Sequence, residues 1–168
     1  MSEIKSSSGA TPAMRRVGVA LTQFGRWMEM TKSYAAKQLG LHPSDLACLG
    51  FMLTAGEPVS PKQIITHLEM TSGTGTALLD RLENAGYISR IPNPNDRRSV
   101  LVVLDEVKAA APLAYYRLMR DHFSTVMLGR GEAELDAFAA LLEALADVGM
   151  EQRLHALEAI KAIGNSVE

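Results

Sequence analysis

The sequence predicts a mainly α-helical protein that carries one small β-hairpin near the middle of the chain. Apolar residues recur at helical spacing through most of the sequence. Several helix starts are marked by a capping side chain followed by proline. Two short runs rich in β-branched residues flank a polar stretch at 92–96. We therefore expect helices on both sides of a single central hairpin.

The first helix is predicted to begin at Thr11-Pro12 and to end near Gly40. Residues 1–11 before it are polar and serine-rich, and we expect them to form a disordered tail. One face of the helix is apolar, formed by Val17, Leu21, Phe24 and Met28. A helix of this length with such a stripe needs a partner to cover it.

A second helix is predicted from Pro43 to just before Gly56, with Leu46 and Leu49 facing inward. The third begins at Ser60-Pro61, where the serine hydroxyl caps the helix and Gln63 can reach back to it. Its apolar face comprises Ile64, Ile65 and Leu68. These two helices are expected to brace the segment that follows.

The fourth helix is capped by Thr71 or Ser72 and ends at Gly86, with Leu78, Leu79 and Leu82 facing inward. Two strands are predicted at 87–91 and 99–104, joined by a loop of several residues. Two short helices followed by a hairpin are the order of a helix-turn-helix with a β-hairpin wing. The sequence from 60 to 104 therefore predicts a DNA-binding head.

After the hairpin, Asp105 is predicted to cap a helix that reaches about Leu128. Pro112 either kinks this helix or marks a true start just before it. The stretch 129–131 interrupts the helical pattern. A last amphipathic helix follows, with Leu135, Phe138, Leu142, Leu145 and Val148 on one face. Gly149 is a candidate break before a final segment, 150–163.

Composition narrows the class of protein. A chain of 168 residues, 47% hydrophobic and with a mean hydropathy of +0.03, can bury one core, or one core plus an oligomer interface. No apolar run is long enough to span a membrane, and the N-terminus lacks the apolar region of a signal peptide. We expect a soluble cytoplasmic protein without a membrane partner.

The net charge of −2 is unusual for a DNA-binding protein, so its distribution matters more than its total. Residues 1–40 carry six basic and two acidic side chains, and the head, 60–104, carries five and four. Residues 105–168 carry six basic and eleven acidic side chains. This pattern fits a DNA-facing head with an acidic body, but the head is only weakly basic. Two heads must therefore act together to bind DNA.

The segment Leu79–Ile88, followed by Asp96-Arg97-Arg98-Ser99, resembles the MarR family of bacterial transcriptional regulators. The resemblance extends over roughly 14–150. It implies a winged helix-turn-helix head, 41–104, and a dimerisation domain built from helices in 12–40 and 105–165. It also implies a homodimer that binds double-stranded DNA at a pseudo-palindromic operator, as a repressor relieved by a small molecule.

Two other functional classes, an enzyme and a protein-binding module, fit the sequence less well. An enzyme is disfavoured because the glycines near Gly73 lack a preceding strand and a P-loop lysine, and no nucleophile lies beside a plausible base. A winged-helix module that binds protein instead of DNA is the second alternative, because the head is only weakly charged. No cofactor is predicted, and the histidines show no paired metal-ligand spacing.

The start of the fourth helix supplies the first group of candidate DNA contacts, Ser72, Thr74 and Thr76. Small hydroxyl residues allow a helix end to enter the major groove and to bond base edges and phosphates. Alternatively, they are only caps and turn formers. Gly73 and Gly75 each weaken the helix by about 1 kcal/mol relative to alanine. We expect a close approach of DNA to compensate for both.

The hairpin tip supplies the second group of candidate DNA contacts. Arg97 and Arg98 can enter a narrow minor groove. By resemblance, Arg98 is the family arginine that does so, and Asp96 is the carboxylate that orients it. Alternatively, the tip is a solvated loop of little energetic consequence. The remaining candidates are Arg81, which contacts phosphate or pairs with Asp80 or Glu83, and Ser60 and Lys62, which contact the DNA backbone. Arg90 lies on a strand and is expected to face the fourth helix.

Members of the family typically respond to small phenolic or anionic compounds bound between the dimerisation helices and the head. The residues that would line such a cleft here are Trp27, Met28, Tyr34, His42, Met52, Tyr115 and Met119. Alternatively, most of them belong to the ordinary core or to an interface, and His42 is a helix cap. Some relatives sense peroxide through a cysteine. However, Cys48 has no adjacent Lys, Arg or His, which indicates a small buried thiol.

Overall fold

The computed structural model describes the backbone of residues 11–164 and the side chains of residues 11–148. Its helices are α1 (Pro12–Gln38), α2 (Pro43–Ala55), α3 (Pro61–His67), α4 (Ser72–Asn84), α5 (Ala110–Met127) and α6 (Glu132–Gly164). Two strands, β1 (Ile88–Asn93) and β2 (Asp96–Leu104), lie between α4 and α5. The predicted fold class, mainly α with one hairpin wing, is confirmed. The predicted tail lies almost wholly outside the described residues.

The first four helices begin where the sequence predicts, because each has a side-chain cap. Thr11, His42, Ser60 and Thr71 accept hydrogen bonds from the backbone of the first turn, and the first three precede a proline. His42 and Ser60 form full capping boxes, with Asp45 and Gln63 reaching back to the cap N–H. His42 is therefore the cap of α2, as one of its two interpretations had it.

The core of the head is formed by apolar residues of α2, α3, α4 and the hairpin. Its fully buried members include Leu49, Ile64, Leu78, Leu79 and Val102. Val59, just before α3, exchanges backbone hydrogen bonds of 2.7 and 3.1 Å with Val102 of β2. Gly86 ends α4 with φ of +75°, a conformation that favours glycine, and directs the chain into β1.

The hairpin is longer and its turn is tighter than predicted. Both strands extend to a two-residue connection, Pro94-Asn95, instead of a loop of several residues. Pro92 is compatible with this extension because β1 is an edge strand, where a missing N–H is tolerated. Pairing is regular from Ile88↔Leu104 to Pro92↔Val100, and the register then shifts so that Asn93 faces Asp96. Residues 97–99 consequently have no backbone pairing partner on β1.

The two C-terminal helices correct two expectations. Asp105 does not start α5: its carboxylate accepts from the backbone N–H of Val107 and Lys108, closing a separate turn. The helix begins at Ala110, which puts Pro112 in its first turn, where proline needs no kink. Gly149 does not split α6, which continues to Gly164. Within α5, Leu113 and Met119 are buried, whereas Arg120 is exposed.

The chain divides into two compact units. The first ends at Met119 and contains α1 to α4, the hairpin and the start of α5, and the second begins at Arg120 and contains α6. In the first unit, Tyr116 of α5 donates a 2.8 Å hydrogen bond to the Leu46 carbonyl of α2, and its ring lies where a side chain at Gly50 would be. Among the described residues, no helix is long and apolar enough to cross a membrane.

Candidate nucleic-acid interface

The start of α4 presents a row of small exposed residues, Ser72 to Thr74 and Thr76-Ala77. Thr71 caps the helix by accepting from the Thr74 N–H at 3.3 Å, and the two threonine hydroxyls are 2.9 Å apart. Thr76 donates its hydroxyl to the Ser72 carbonyl at 2.9 Å. The cap is therefore Thr71, and the hydroxyls of Thr74 and Thr76 are bonded within the helix start, whereas the Ser72 hydroxyl has no protein partner in the described part of the chain.

The two glycines of α4 differ in what surrounds them. A Cβ built on Gly75 would lie 2.3 Å from Cγ1 of Ile65 on α3, so this glycine allows the two helices to pack closely. The expectation that DNA accounts for Gly75 is therefore wrong, since a neighbouring helix already does. A Cβ on Gly73 would meet nothing within 4 Å, so the explanation by DNA stays a prediction for that position.

The wing tip is held in shape by short-range hydrogen bonds. Asn93 donates to the Ser99 hydroxyl at 2.9 Å and accepts from the Asn95 N–H at 3.0 Å. Asp96 accepts from the Arg98 N–H at 3.0 Å, so its carboxylate fixes the backbone of Arg98 and leaves the guanidinium unpaired. Both Arg97 and Arg98 are exposed, and neither forms an ion pair within the described residues. The tip thus presents two guanidinium groups on a hydrogen-bonded turn.

Arg81 is engaged by a residue that the sequence did not indicate. It donates a 2.7 Å hydrogen bond to Asp45 at the start of α2, and this bond raises the pKa of the guanidinium. Asp45 is only 5% exposed, so its charge needs a partner. The expected pairing of Arg81 with Asp80 or Glu83 is wrong, because the two carboxylates bind Arg90 instead.

Arg90 connects the wing to α4. Its guanidinium donates to Asp80 at 2.7 Å and to Glu83, and its N–H donates to the second Glu83 oxygen at 3.2 Å. The hydrogen bond with Asp80 raises the pKa of the guanidinium. The expectation that Arg90 faces the helix is confirmed, but its two partners lie seven and ten positions away and were not predicted.

The remaining two candidates lie at the start of α3. The Ser60 hydroxyl donates to Gln63 at 2.7 Å and accepts from the Gln63 N–H at 3.3 Å, so it serves the capping box. Lys62 is exposed and forms no ion pair in the part of the chain that the structure describes. Of the nine predicted DNA contacts, four have side chains without a partner among the described residues: Lys62, Ser72, Arg97 and Arg98.

The seven residues proposed to line an effector cleft differ widely in exposure. Met52 is 2% exposed and belongs to the core of the head, as the alternative interpretation has it, and Met119 is 7% exposed. Trp27, Tyr34 and His42 are exposed, and Met28 is half-buried. The Tyr115 hydroxyl is buried and has no hydrogen-bond partner among the described residues, and burial raises the pKa of Tyr115. Two shallow grooves along α1 contain none of the seven.

Cys48 lies fully buried in the core of the head, which confirms the expectation of a buried thiol. Burial, with a smaller contribution from Asp45, raises the pKa of Cys48 to about 12. The thiolate that reacts with oxidants is therefore disfavoured at neutral pH. Among the described side chains, no three His, Cys, Asp or Glu residues are grouped as a metal site would require.

The sequence of this chain is similar to those of bacterial transcriptional regulators. The family model described as MarR family matches residues 39–99. An uncharacterised HTH-type transcriptional regulator of Bacillus subtilis, YcgE, is 32% identical over 74% of this chain and 79% of that protein. The multiple antibiotic resistance protein MarR of Escherichia coli is 33% identical, over 51% of this chain and 64% of that protein.

A similar fold occurs in a solved structure of a variant of MepR from S. aureus bound to an oligodeoxyribonucleotide. The TM-score is 0.53, the sequence identity is 18%, and the match covers 79% of this chain and 96% of that chain. At this identity the likeness concerns the fold alone. The arrangement of helices, turn and hairpin in this chain is thus one that known regulators share.

Proposed function

Because the chain belongs to the MarR family of DNA-binding transcriptional regulators and is not an enzyme, we propose that it is a repressor that binds a pseudo-palindromic operator as a homodimer. A small molecule would release it from the operator. The observation that supports this most strongly is a set of exposed groups that have no partner in the described part of the chain. These are the hydroxyl of Ser72 at the start of α4 and the guanidinium groups of Arg97 and Arg98.

In this proposal the two groups read different features of the duplex. The start of α4 enters the major groove, where Ser72 and the small residues beside it allow the helix to approach base edges closely. Arg98, and next to it Arg97, enters the minor groove and responds to its negative potential. Lys62 contacts phosphate, which positions the head without reading sequence.

A homodimer is proposed because large apolar side chains are exposed on α1 and on α6. On α6 these are Phe138, Leu141, Leu142, Leu145 and Val148, each 40% to 52% exposed. Exposed apolar stripes on long helices are usually covered by another helix, and a symmetry mate can supply it. The proposed division keeps 41–104 as the head and assigns helices in 12–40 and 105–165 to dimerisation. We place the dimer in the cytoplasm, where the DNA is.

Selection of bound sequences from random duplex DNA tests the proposal. We expect an imperfect palindrome whose half-sites lie about one helical turn apart. The double variant with Arg97→Ala and Arg98→Ala serves as the control and should enrich sequences far more weakly. A protein-interaction module would enrich no sequence. Its binding to a partner would also depend less steeply on salt than DNA binding does.

The effector is proposed to be a small phenolic or anionic compound that binds near Trp27 and Tyr115. The buried Tyr115 hydroxyl without a partner supports a polar ligand there. Titration of the bound dimer with a hydroxybenzoic acid should release the duplex, and Tyr115→Phe should weaken that response without changing DNA affinity. DNA release that is equal in both proteins would contradict the assignment of Tyr115.

A further inference from the structure

Arg90 of β1 is bonded to another element of the head more extensively than any residue that is predicted to contact DNA. Arg90 bonds α4 through three groups: two guanidinium nitrogens and its own backbone N–H. Its anchors, Asp80 and Glu83, are three positions apart and so lie on the same side of the helix, one turn from each other. A planar guanidinium can bridge two such carboxylates, whereas a lysine ammonium cannot do so with the same geometry.

The position of Arg90 on the strand explains why it points to α4. It pairs with Val102 of β2, and directly opposed residues place their side chains on the same face of the sheet. Val102 is fully buried in the core of the head, so Arg90 lies on the inner face of β1. Its side chain remains 27% exposed, at the margin of the core.

Beyond Arg90 and its strand partner Val102, which also bonds Val59, the hairpin extends away from the core of the head. It is a two-stranded ribbon, and such ribbons have marginal stability when isolated. Its residues towards the tip, including Ile91, Val100 and the two tip arginines, are exposed. The angle between α4 and the tip therefore depends on the contacts at the base of the hairpin, where Arg90 bonds α4 and Val102 bonds Val59.

We propose that Arg90 is a positioning residue for DNA binding, with Asp80 and Glu83 as its anchors. It contacts no DNA and holds the wing at the angle that lets Arg98 and the start of α4 engage one duplex together. This inference rests on the proposed function, because it assumes that both elements contact DNA. A positioning role and a direct contact between Arg90 and phosphate predict opposite changes in DNA affinity when Asp80 or Glu83 loses its charge.

The test uses Glu83→Gln and the palindromic duplex selected with the wild-type protein. If Arg90 bound phosphate, neutralising Glu83 would remove a repulsive charge and strengthen binding. The positioning role predicts the opposite, a dissociation constant about tenfold higher, which is typical of coupling within one ion-pair network. An unchanged or lower dissociation constant would overturn the proposal.

Arg98→Ala supplies the second measurement. It should weaken binding about tenfold in the wild-type protein but less than about twofold in the Arg90→Gln background, because a displaced wing no longer delivers Arg98. Arg90→Lys keeps the charge and should not restore binding. Equal losses in both backgrounds, or full rescue by lysine, would contradict a positioning role.

Hydrogen exchange on the DNA-free protein separates this proposal from the proposed function. In Arg90→Gln, amides of the hairpin at 91–101 should exchange faster, while those of α4 at 78–82 should stay protected. Unchanged exchange in the hairpin would refute the role of Arg90 whether or not the protein binds DNA. Failure of the wild-type protein to select any duplex would refute the proposed function, whereas faster hairpin exchange in Arg90→Gln would still show that Arg90 holds the hairpin.

Discussion

Arg98 is the residue whose surroundings point most directly to a ligand outside the chain. Its backbone is fixed by Asp96 at 3.0 Å, while its guanidinium is exposed and has no ion-pair partner among the described residues. Arg98→Ala should raise the dissociation constant for the selected duplex about tenfold, which corresponds to about 1.4 kcal/mol. It should also reduce the salt dependence of binding by about one phosphate contact.

The control for Arg98 is Arg120→Ala. Arg120 is also exposed and forms no ion pair within the described residues, and it lies on α5, outside the head. Removing it changes the net charge equally, so it should leave affinity and salt dependence nearly unchanged. A loss below about 1 kcal/mol for Arg98→Ala would disprove its assignment to the minor groove.

Cys48 should behave as a structural residue at neutral pH. Its pKa is raised to about 12 from an ordinary value of 9.0, because the thiol is buried. The native protein should therefore react with a thiol reagent at pH 8 far more slowly than the protein unfolded in denaturant. Rapid and stoichiometric modification of the native protein would show that Cys48 is accessible.

Because the pKa of Cys48 is raised in the folded protein, the free energy of unfolding depends on pH. Between pH 9 and 12 the unfolded thiol releases its proton while the folded thiol keeps it, so the free energy of unfolding falls as pH rises. The stabilising contribution of the buried, protonated thiol is fully present below pH 9. Denaturant titrations should show this decline, and Cys48→Ala should make it shallower. An equal slope in both proteins would contradict the burial of the thiol.

At this scale, a residue could be predicted when its function depends on neighbours close in sequence. The wing pair Asp96 and Arg98 and the caps Thr71 and Ser60 are of this kind. Asp45 was missed as the partner of Arg81 because 36 positions separate them and only the packing of α4 on α2 brings them together. Asp45 could have been noticed as a capping-box carboxylate, but that motif does not indicate a distant arginine.

At the scale of elements, the close packing of α3 against α4 gives a matched pair of substitutions. Gly75→Ala places a methyl group within 2.3 Å of Ile65 Cγ1 and should force the helices apart. We expect a loss of about 1–3 kcal/mol in the free energy of unfolding, as in other overpacked cores. Thermal or denaturant unfolding measures it, and wild-type stability in this variant would contradict the packing role.

Gly73→Ala is the matched control on the same helix, because its added methyl group meets no protein atom within 4 Å. It should raise the free energy of unfolding by about 0.4–1 kcal/mol, because alanine lowers the conformational entropy of the unfolded chain. If DNA approaches this position closely, the same variant should bind the duplex more weakly despite its greater stability. Unchanged affinity would show that no close approach occurs there.

Elements were predicted well where side-chain caps and glycines set their ends, and less well where pairing between strands does. The bounds of α2 follow from His42-Pro43 and Gly56, which are local signals. The ends of β1 and β2 depend on cross-strand pairing around the register shift at Pro92, which composition does not reveal. Asp105 was misread because an aspartate caps an isolated turn by the same hydrogen bonds with which it caps a helix.

On the scale of the whole molecule, the distribution of charge and of apolar surface was readable from the sequence, but the boundary between compact units was not. The weakly basic head leaves few phosphate contacts per subunit, so a single head would bind DNA weakly. The unit boundary at Met119 falls inside α5, and a continuous helix carries no sequence signal for such a boundary. Binding by two heads would therefore require the proposed dimer, which can be tested separately.

The apolar stripe of α6 is the place to test the dimer. Leu142 and Leu145 are 40% and 42% exposed and lie on the same face of the helix, so replacing both with glutamate would put two charges into the proposed interface. We expect analytical ultracentrifugation at micromolar concentration to give a dimer for the wild-type protein and a monomer for this double variant. The monomer should bind the palindromic duplex at least about a hundredfold more weakly, because it loses the second head.

Ala140→Glu is the control for this experiment, since position 140 is exposed and lies on the other side of α6 from the stripe. It should remain dimeric and bind the duplex with wild-type affinity. A monomeric wild-type protein that still binds the palindrome tightly would refute the two-headed mechanism. A dimer that persists in the double variant would instead place the interface elsewhere, with the exposed apolar residues of α1, including Phe24 and Trp27, as the next surface to change.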